Sequence, residues 1–228
     1  STPCDVVWVY AVTGEKNSRP QLSTFLVKKD FEGFSVGQKI QGKLGMRGSN
    51  TAELVFENCK VPAKYLVGEE GHSMIHMMRN LELERLTLAA QSVGIARRCI
   101  DVMVKYAKER EAFGKSLDSF GQIQKYIADS YAEYMASKTY VYATAQNMSL
   151  DKEGNRIDSD GVKLVATTMG KNVADRAIQV LGGYGYVAEY VVERLWRDAK
   201  LLEIGGGTIE AHQKNITKDL SRSGAPIL

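Results

Sequence analysis

No stretch of the 228-residue sequence approaches the ~20 consecutive apolar residues that a membrane-spanning helix needs. Nothing at its start has the order of basic, apolar and small residues that marks a signal or transit peptide. Cysteine is sparse. Cys4, Cys59 and Cys99 are odd in number, widely spaced and free of any CxxC pair, which argues against a disulfide framework or a thiolate zinc site and for reduced thiols in a non-secreted protein. Charge of one sign is also missing: 30 basic against 27 acidic residues leave a formal net charge of +3. That balance argues against a general nucleic-acid surface while leaving room for local basic positions that grip a phosphorylated small molecule. Internal repeats and low-complexity tracts are absent as well. The length suffices for one large domain or two small ones.

What is present changes character along the chain. Residues 1–66 are short β-branched or aromatic runs between turn residues, with antiparallel strands expected at Asp5–Val12, Ser23–Lys28, Phe34–Ile40 and Ala52–Cys59. Gly14–Pro20 and Gly45–Asn50 read as loops, and Pro62 and Gly68 mark a change of period. From about Gly71 to Arg110 the apolar residues Met74, Met77, Met78, Leu81, Leu88, Ala89, Val93, Ala96, Ile100, Val104 and Ala107 recur at helical spacing. A second helix is expected from Ser119, with Gln122 completing a capping box, through Ile123, Ile127, Tyr134, Met135 and Tyr142 to about Leu150. After a polar turn at Asp151–Arg156, Asp158 can cap a third helix with the stripe Val162, Val165, Met169, Val173, Ala177 and Leu181. Gly182 and Gly183 end it in the C′ role. A short helix near Tyr190–Asp198 and a last one over about Ile209–Ser221 follow. The fold class is therefore α+β and mostly helical, with a partial antiparallel β-domain over residues 1–66 and a helical bundle over 67–228.

Several groupings carry chemistry. Arg110 and Phe113 put a guanidinium and an aromatic ring together at the end of the long helix, able to fork onto a pyrophosphate and to pack on a base. Gln179, Val180, Leu181, Gly182 and Gly183 end a helix in two glycines that let a ligand approach the backbone. Thr208, Ile209 and Glu210 open the last helix, whose free N–H groups suit a polar ligand. His72 and His76 have helical metal-ligand spacing, but no third ligand is evident and no metal is expected.

Four blocks, in order over nearly the whole chain, resemble the acyl-CoA dehydrogenase flavoprotein family. They are Lys43–Thr51, Glu109–Lys115 (EREAFGK), Gln179–Tyr186 (QVLGGYGY) and Gly205–Thr208 (GGGT). The resemblance implies FAD held between subunits of a homotetramer, an acyl-CoA substrate and electron transfer flavoprotein as electron acceptor. In most of the family a glutamate stands immediately before the final Gly-Thr and removes the substrate α-proton, but Gly206 occupies that place here. A minority branch takes the base from the long helix, where Glu84 stands in LELERL. That pairing resembles the branch acting on isovaleryl-CoA in leucine catabolism, and the space freed at Gly206 suits a branched acyl chain. The implied site has Glu84 as base in apolar surroundings from Leu81, Leu83 and Leu86 that raise its pKa. Ser18, Arg19, Glu82, Leu83, Arg85, Gly206 and Gly207 contact substrate, the Gly206 N–H donating to the thioester oxygen. Arg110, Phe113, Gln122, Gln179 to Gly183 and Thr208 to Glu210 contact FAD.

Three positions depart from the family pattern: Gly121 follows Phe120 where a glutamine is usual, Ile209 replaces a polar residue, and Glu82 replaces aspartate. The family also has a helical domain and half a β-domain ahead of Val6, so the chain reads as a C-terminal fragment, inactive in isolation. Location follows as the mitochondrial matrix in a eukaryote and the cytoplasm otherwise. A long-chain acyl-CoA dehydrogenase of fatty-acid β-oxidation is the alternative enzyme, and a non-catalytic assembly or binding module the alternative of another class.

Overall fold

The computed structural model describes residues 5–149 and 156–223. The polar turn expected over Asp151–Arg156 falls mostly outside the described residues, as does Cys4. The chain divides into two compact units, residues 1–80 and 81–228.

In the first unit, β1 (Val6–Lys16) and β2 (Arg19–Lys28) form an antiparallel hairpin, extended by β5 (Leu66–Val67) on the far side of β2. β3 (Phe34–Ile40) and β4 (Thr51–Phe56) make a second hairpin. The loop expected over Gly14–Pro20 is shorter than its composition suggests. Lys16 pairs with Arg19, so only Asn17 and Ser18 turn, both at positive φ (52° and 58°) as a two-residue hairpin loop requires. The glycine at 14 marks a bulge in β1 rather than its end. Beneath this sheet Ser23, Thr24 and Ser73 are buried hydroxyls that satisfy their neighbours. The Thr24 hydroxyl donates to Ser73 Oγ (2.7 Å), and Ser23 Oγ accepts the Gly71 N–H (2.8 Å).

The second unit is helical. It contains most of α1 (Ser73–Glu109), then α2 (Gly121–Asn147), α3 (Arg156–Leu181), α4 (Val192–Ile204) and α5 (Ile209–Ser223). A small hairpin, β6 (Glu111–Ala112) with β7 (Lys115–Ser116), follows α1. The core draws Ala89, Val93, Ala96, Ile100, Met103 and Ala107 from α1 and Val162, Ala166, Met169, Val173, Ala177 and Val180 from α3. Cys99 is buried here, and desolvation pushes its thiol up to about 12, leaving it inert as a thiolate.

The apolar stripes differ from the expected ones at single positions. Met74, Val104, Met135, Tyr142 and Val165 are exposed, and Met103 and Ala166 are buried in place of their neighbours. On α2 the buried face is Ser130, Tyr134, Ser137, Val141 and Thr144. Small hydroxyl residues let helices approach closely, so a pattern drawn from apolar residues alone misses that face. The helix starts also move. Ser119 donates to the Ser116 carbonyl (2.6 Å) in a preceding 3₁₀ turn, so α2 opens at Gly121 with Phe120 as its N-cap and the Ser119–Gln122 capping box does not form. Asp158 lies inside the first turn of α3, where it favours the helix dipole instead of capping.

α3 packs tightly against α1 at Gly170, where an added Cβ would lie 3.0 Å from both the Ser92 Cβ and its carbonyl oxygen. Arg176 grips Glu133 of α2 through two bonds of 2.8 Å, and Arg156 pairs with Asp219 of α5. A Gly170→Val substitution is expected to destabilise the protein by about 1–3 kcal/mol, because backbone cannot yield to the new methyls. Urea unfolding followed by circular dichroism measures it.

Candidate functional site

Between α4 and α5 the chain reverses at Gly205, Gly206 and Gly207. The Gly205 N–H still closes α4 onto Leu201 (2.8 Å), after which Gly206 (φ 66°) and Gly207 (φ 115°) take backbone conformations that only glycine adopts freely. Thr208 then starts α5, its hydroxyl accepting the Ala211 N–H (3.4 Å).

Glu84 faces this turn from α1. A Cβ built on Gly206 would lie 3.7 Å from both Cδ and Oε1 of Glu84 and 2.8 Å from Leu88 Cδ1. The Glu84 carboxyl thus borders the space into which a side chain at 206 would project. An acid at 206 would need both a strained backbone and a displaced Leu88. The leucines expected to enclose the carboxyl do not do so: Leu81, Leu83 and Leu86 are half-buried, and Glu84 itself is exposed. Its apolar neighbour is Leu88, one helical turn on and on the same face. Glu82 is half-buried and close enough to Arg156 to favour that residue's charged form.

Arg85 is not available as expected. It is only 7 % exposed, its Nε donates to the Gly206 carbonyl (3.1 Å), and its Nη1 lies 3.0 Å from Asp160 Oδ1. The guanidinium is committed to the loop, not to a coenzyme A phosphate. Asp160 and His212 are both 0 % exposed and meet at 2.6 Å, Oδ1 to Nδ1. His212 Nε2 reaches the Gly207 carbonyl (2.9 Å), and Lys163 Nζ donates to the same carbonyl and to that of Glu203 (3.3 Å). Glu203 is in turn paired with Lys200 at 2.6 Å. Sequence reasoning missed this cluster entirely. Its one legible signal was charge inside the α3 stripe, Asp160 and Lys163 flanking Val162. Burial lowers the Lys163 ammonium to about 8, with Arg85 adding repulsion.

A second feature lies where the ends of α1 and α3 meet. A groove of about 630 Å³ is lined by Arg110 together with Val180, Leu181, Gly182 and Gly183, and by Tyr106, Leu117, Tyr184, Val187 and Glu189. Gly182 (φ 59°) and Gly183 have nothing within 4 Å of where a Cβ would stand, so the backbone there is open to a ligand. An arginine at one end and bare backbone at the other fit a pyrophosphate-bearing cofactor such as FAD.

Phe113 is placed differently from the helix face expected of it. α1 ends at Glu109, and Phe113 (φ 52°) and Gly114 (φ 77°) form the tip of the β6–β7 hairpin. A bulky residue at positive φ is strained, and this ring is 96 % exposed, 6.3 Å from the Phe120 ring. Gln122 and Gln179 are exposed and do not line the groove. Glu210 is not a free acceptor: hydrogen bonds from its own N–H and from the Thr208 hydroxyl lower its pKa. Ile209 is half-buried. Ser18 and Arg19 sit in the β1–β2 hairpin of the first unit. His72 pairs with Glu69 (2.7 Å), and among the described residues no group of three potential ligands is arranged for a metal. No described helix is long and apolar enough to cross a membrane.

Residues 73–221 match the model of the acyl-CoA dehydrogenase C-terminal domain, and residues 1–59 that of the middle domain. The chain belongs to the acyl-CoA dehydrogenase family. It is 45 % identical over 212 residues to mitochondrial isovaleryl-CoA dehydrogenase of Oryza sativa subsp. japonica, covering 93 % of this chain and 51 % of the relative. Butyryl-CoA dehydrogenase of Megasphaera elsdenii superimposes with a TM-score of 0.90 at 35 % identity, over 96 % of this chain and 56 % of that one. An acyl-CoA dehydrogenase of Bacillus anthracis, solved in complex with FAD, gives a TM-score of 0.87 at 29 % identity, over 96 % of this chain and 40 % of that one. The chain spans about half the length of the curated relatives it matches.

The depressed Lys163 carries a signed pH dependence. Unfolded, this lysine binds a proton up to its ordinary 10.5, whereas folded it releases it near 8. Between those values the unfolded state holds more protons, so stability rises with pH through the window. Lys163→Met is expected to remove that rise. Denaturant unfolding of wild type and variant at pH 7.5, about 8.5 and about 9.5 measures the difference, with Lys163 charge as the variable.

Proposed function

We propose that this chain carries the helical and part of the middle region of an FAD-dependent acyl-CoA dehydrogenase that desaturates a short branched acyl-CoA. The division into a β-region over 1–66 and a bundle over 67–228 goes with that reading. The observation that carries it is the proximity of the Glu84 carboxyl to the empty side-chain position of Gly206. A base delivered from α1 borders the same space as one delivered from the loop.

The chemistry asked of these residues is demanding, since a thioester α-proton is weakly acidic. Glu84 takes that proton. The Gly206 N–H donates to the thioester oxygen and stabilises the negative charge that develops there, a contribution of the oxyanion-hole kind. Arg85 keeps the Gly206 peptide turned, so it acts on the substrate through the backbone. When bound, FAD supplies the acceptor for the hydrogen that leaves the β-carbon. Arg110 would hold its pyrophosphate, Val180 to Gly183 would lie along it, and Phe113, exposed at its hairpin tip, would pack on the adenine of a neighbouring subunit's cofactor in a homotetramer. The same reading assigns Gln122, Gln179, Thr208, Ile209 and Glu210 to contacts with the cofactor, and Ser18, Arg19, Glu82, Leu83 and Gly207 to contacts with the acyl-CoA.

The branched-chain assignment is supported by the absence of a side chain at Gly206, where a Cβ would meet Leu88, and by the isovaleryl-CoA dehydrogenase relative. Electron transfer flavoprotein as acceptor and a mitochondrial location in a eukaryotic source belong to the same proposal. A screen of isovaleryl-, butyryl- and long-chain acyl-CoA on the complete protein decides among substrates. A preference for straight chains would overturn the branched reading.

Glu84→Gln is expected to retain FAD and bind acyl-CoA while flavin reduction falls by about 10²–10⁴-fold, the range of a general base. Stopped-flow bleaching of the flavin measures it, and a near-normal rate removes Glu84 from the reaction. Arg110→Ala is expected to weaken FAD retention by about 1.5–3 kcal/mol through loss of a charge-assisted bond. Flavin content after extensive dialysis checks this.

A further inference from the structure

The Asp160–His212 pair holds a proton that the loop depends on, and this follows from hydrogen-bond direction. The Gly207 carbonyl can only accept, so His212 Nε2, at 2.9 Å from it, must carry a hydrogen. Nδ1 lies 2.6 Å from Asp160 Oδ1, a separation that requires a second proton between them. The pair is therefore either imidazolium with carboxylate or neutral imidazole with carboxylic acid. Remove one proton, and two lone pairs face each other at one end of the ring. Keeping the remaining proton at Nδ1 satisfies Asp160 and leaves Nε2 bare against the carbonyl. Deprotonation then costs the bond to Gly207.

The groups facing this pair are known from every element around it. Arg85 and Glu84 come from α1, Lys163 and Arg156 (itself paired with Asp219 of α5) from α3, and Glu203 with its partner Lys200 from α4. Asp160 Oδ2 is buried without a hydrogen-bond partner, which disfavours a bare carboxylate. Arg85, Lys163 and Arg156 oppose the extra proton, and the carboxylates of Glu84 and Glu203 favour it. The Gly206 and Gly207 peptides are fixed by carbonyl contacts alone, because neither residue has a side chain to restrict its dihedrals.

We propose that His212 is a positioning residue, whose proton shared with Asp160 clamps the Gly207 carbonyl and so aims the Gly206 N–H at the substrate thioester. The proposal rests on the acyl-CoA dehydrogenase reading above and adds a loop-side contact that Glu84 does not make. On loss of the proton the Gly207 carbonyl keeps only Lys163, the glycine turn loosens, and charge on the thioester oxygen is less well stabilised.

Two measurements on the complete, flavin-loaded protein test this. The sequence contains three histidines, so ¹⁵N-labelled histidine spectra are simple, and the His212 signals are those lost in His212→Gln. At neutral pH, His212 is expected to show a protonated Nε2 that exchanges slowly with solvent. A bare Nε2 there would overturn the proposal, whatever the activity. Second, flavin reduction by acyl-CoA is followed at neutral pH in wild type, His212→Gln and His212→Ala. Gln can donate to Gly207 through its side-chain N–H, so it is expected to keep most of the wild-type rate. Ala is expected to slow reduction by up to about a hundredfold, the effect of a small misplacement of a reacting group, with little change in acyl-CoA affinity. A rate in His212→Ala equal to that of wild type overturns the proposal. Near-normal reduction by Glu84→Gln, with His212 behaving as expected, overturns the base assignment alone.

Discussion

A backbone carbonyl held by a buried cation is the contact on which the candidate site depends. Arg85 leaves α1 and donates to the Gly206 carbonyl in the turn between α4 and α5, more than a hundred residues away in sequence. Three consecutive glycines would otherwise sample many conformations, and fixing them costs more entropy than fixing any other residue type. The fold offsets that cost with buried hydrogen-bond donors. Arg85, Lys163 and His212, from α1, α3 and α5, each donate to a carbonyl of the turn, and Asp160 balances them from below. Burial makes such contacts strong and makes the loss of any one partner expensive.

The glycine turn and the placement of Glu84 are coupled through α1. Glu84 and Arg85 are adjacent on a helix, so their side chains diverge by about 100°, one toward the space above Gly206 and one beneath its carbonyl. The same helix therefore presents the proposed base and anchors the proposed thioester donor. A helix is the rigid element that such a pairing needs, since its backbone bonds are satisfied internally and its register is fixed by the Ala89, Val93, Ala96 stripe packed on α3. Substitutions in that stripe act on the site through this register.

The groove at Arg110 is built from different parts. One wall is the end of α3, where Gly182 and Gly183 remove side chains from the surface, and another is the close of α1. Phe113 stands clear of it at a hairpin tip, in a backbone conformation that a phenylalanine seldom adopts.

Much of the architecture was readable from local pattern. The change from period two to helical period near Gly68, the long helix closing at Glu109 and the glycine pair after Leu181 each follow from residues that are neighbours in sequence, whose propensities act without help from the rest of the chain. Family membership was also carried by short contiguous blocks. Errors arose where a decision required distant partners. Ser119 and Gln122 have the composition of a capping box, yet the preceding turn uses the serine. The buried hydroxyl face of α2 is set by what packs on it. Arg85 reads as a free cation beside a carboxylate, and only tertiary contact shows that the Gly206 carbonyl and Asp160 occupy it. Asp160, Lys163 and His212 span three helix segments with no sequence spacing to link them, so their cluster exists only once α1, α3 and α5 converge on the turn. The sequence by itself determined which residues form helices, strands and glycine turns, because those preferences are local. The tertiary structure alone decided which buried charges meet, because burial and partner distance are properties of the assembled chain.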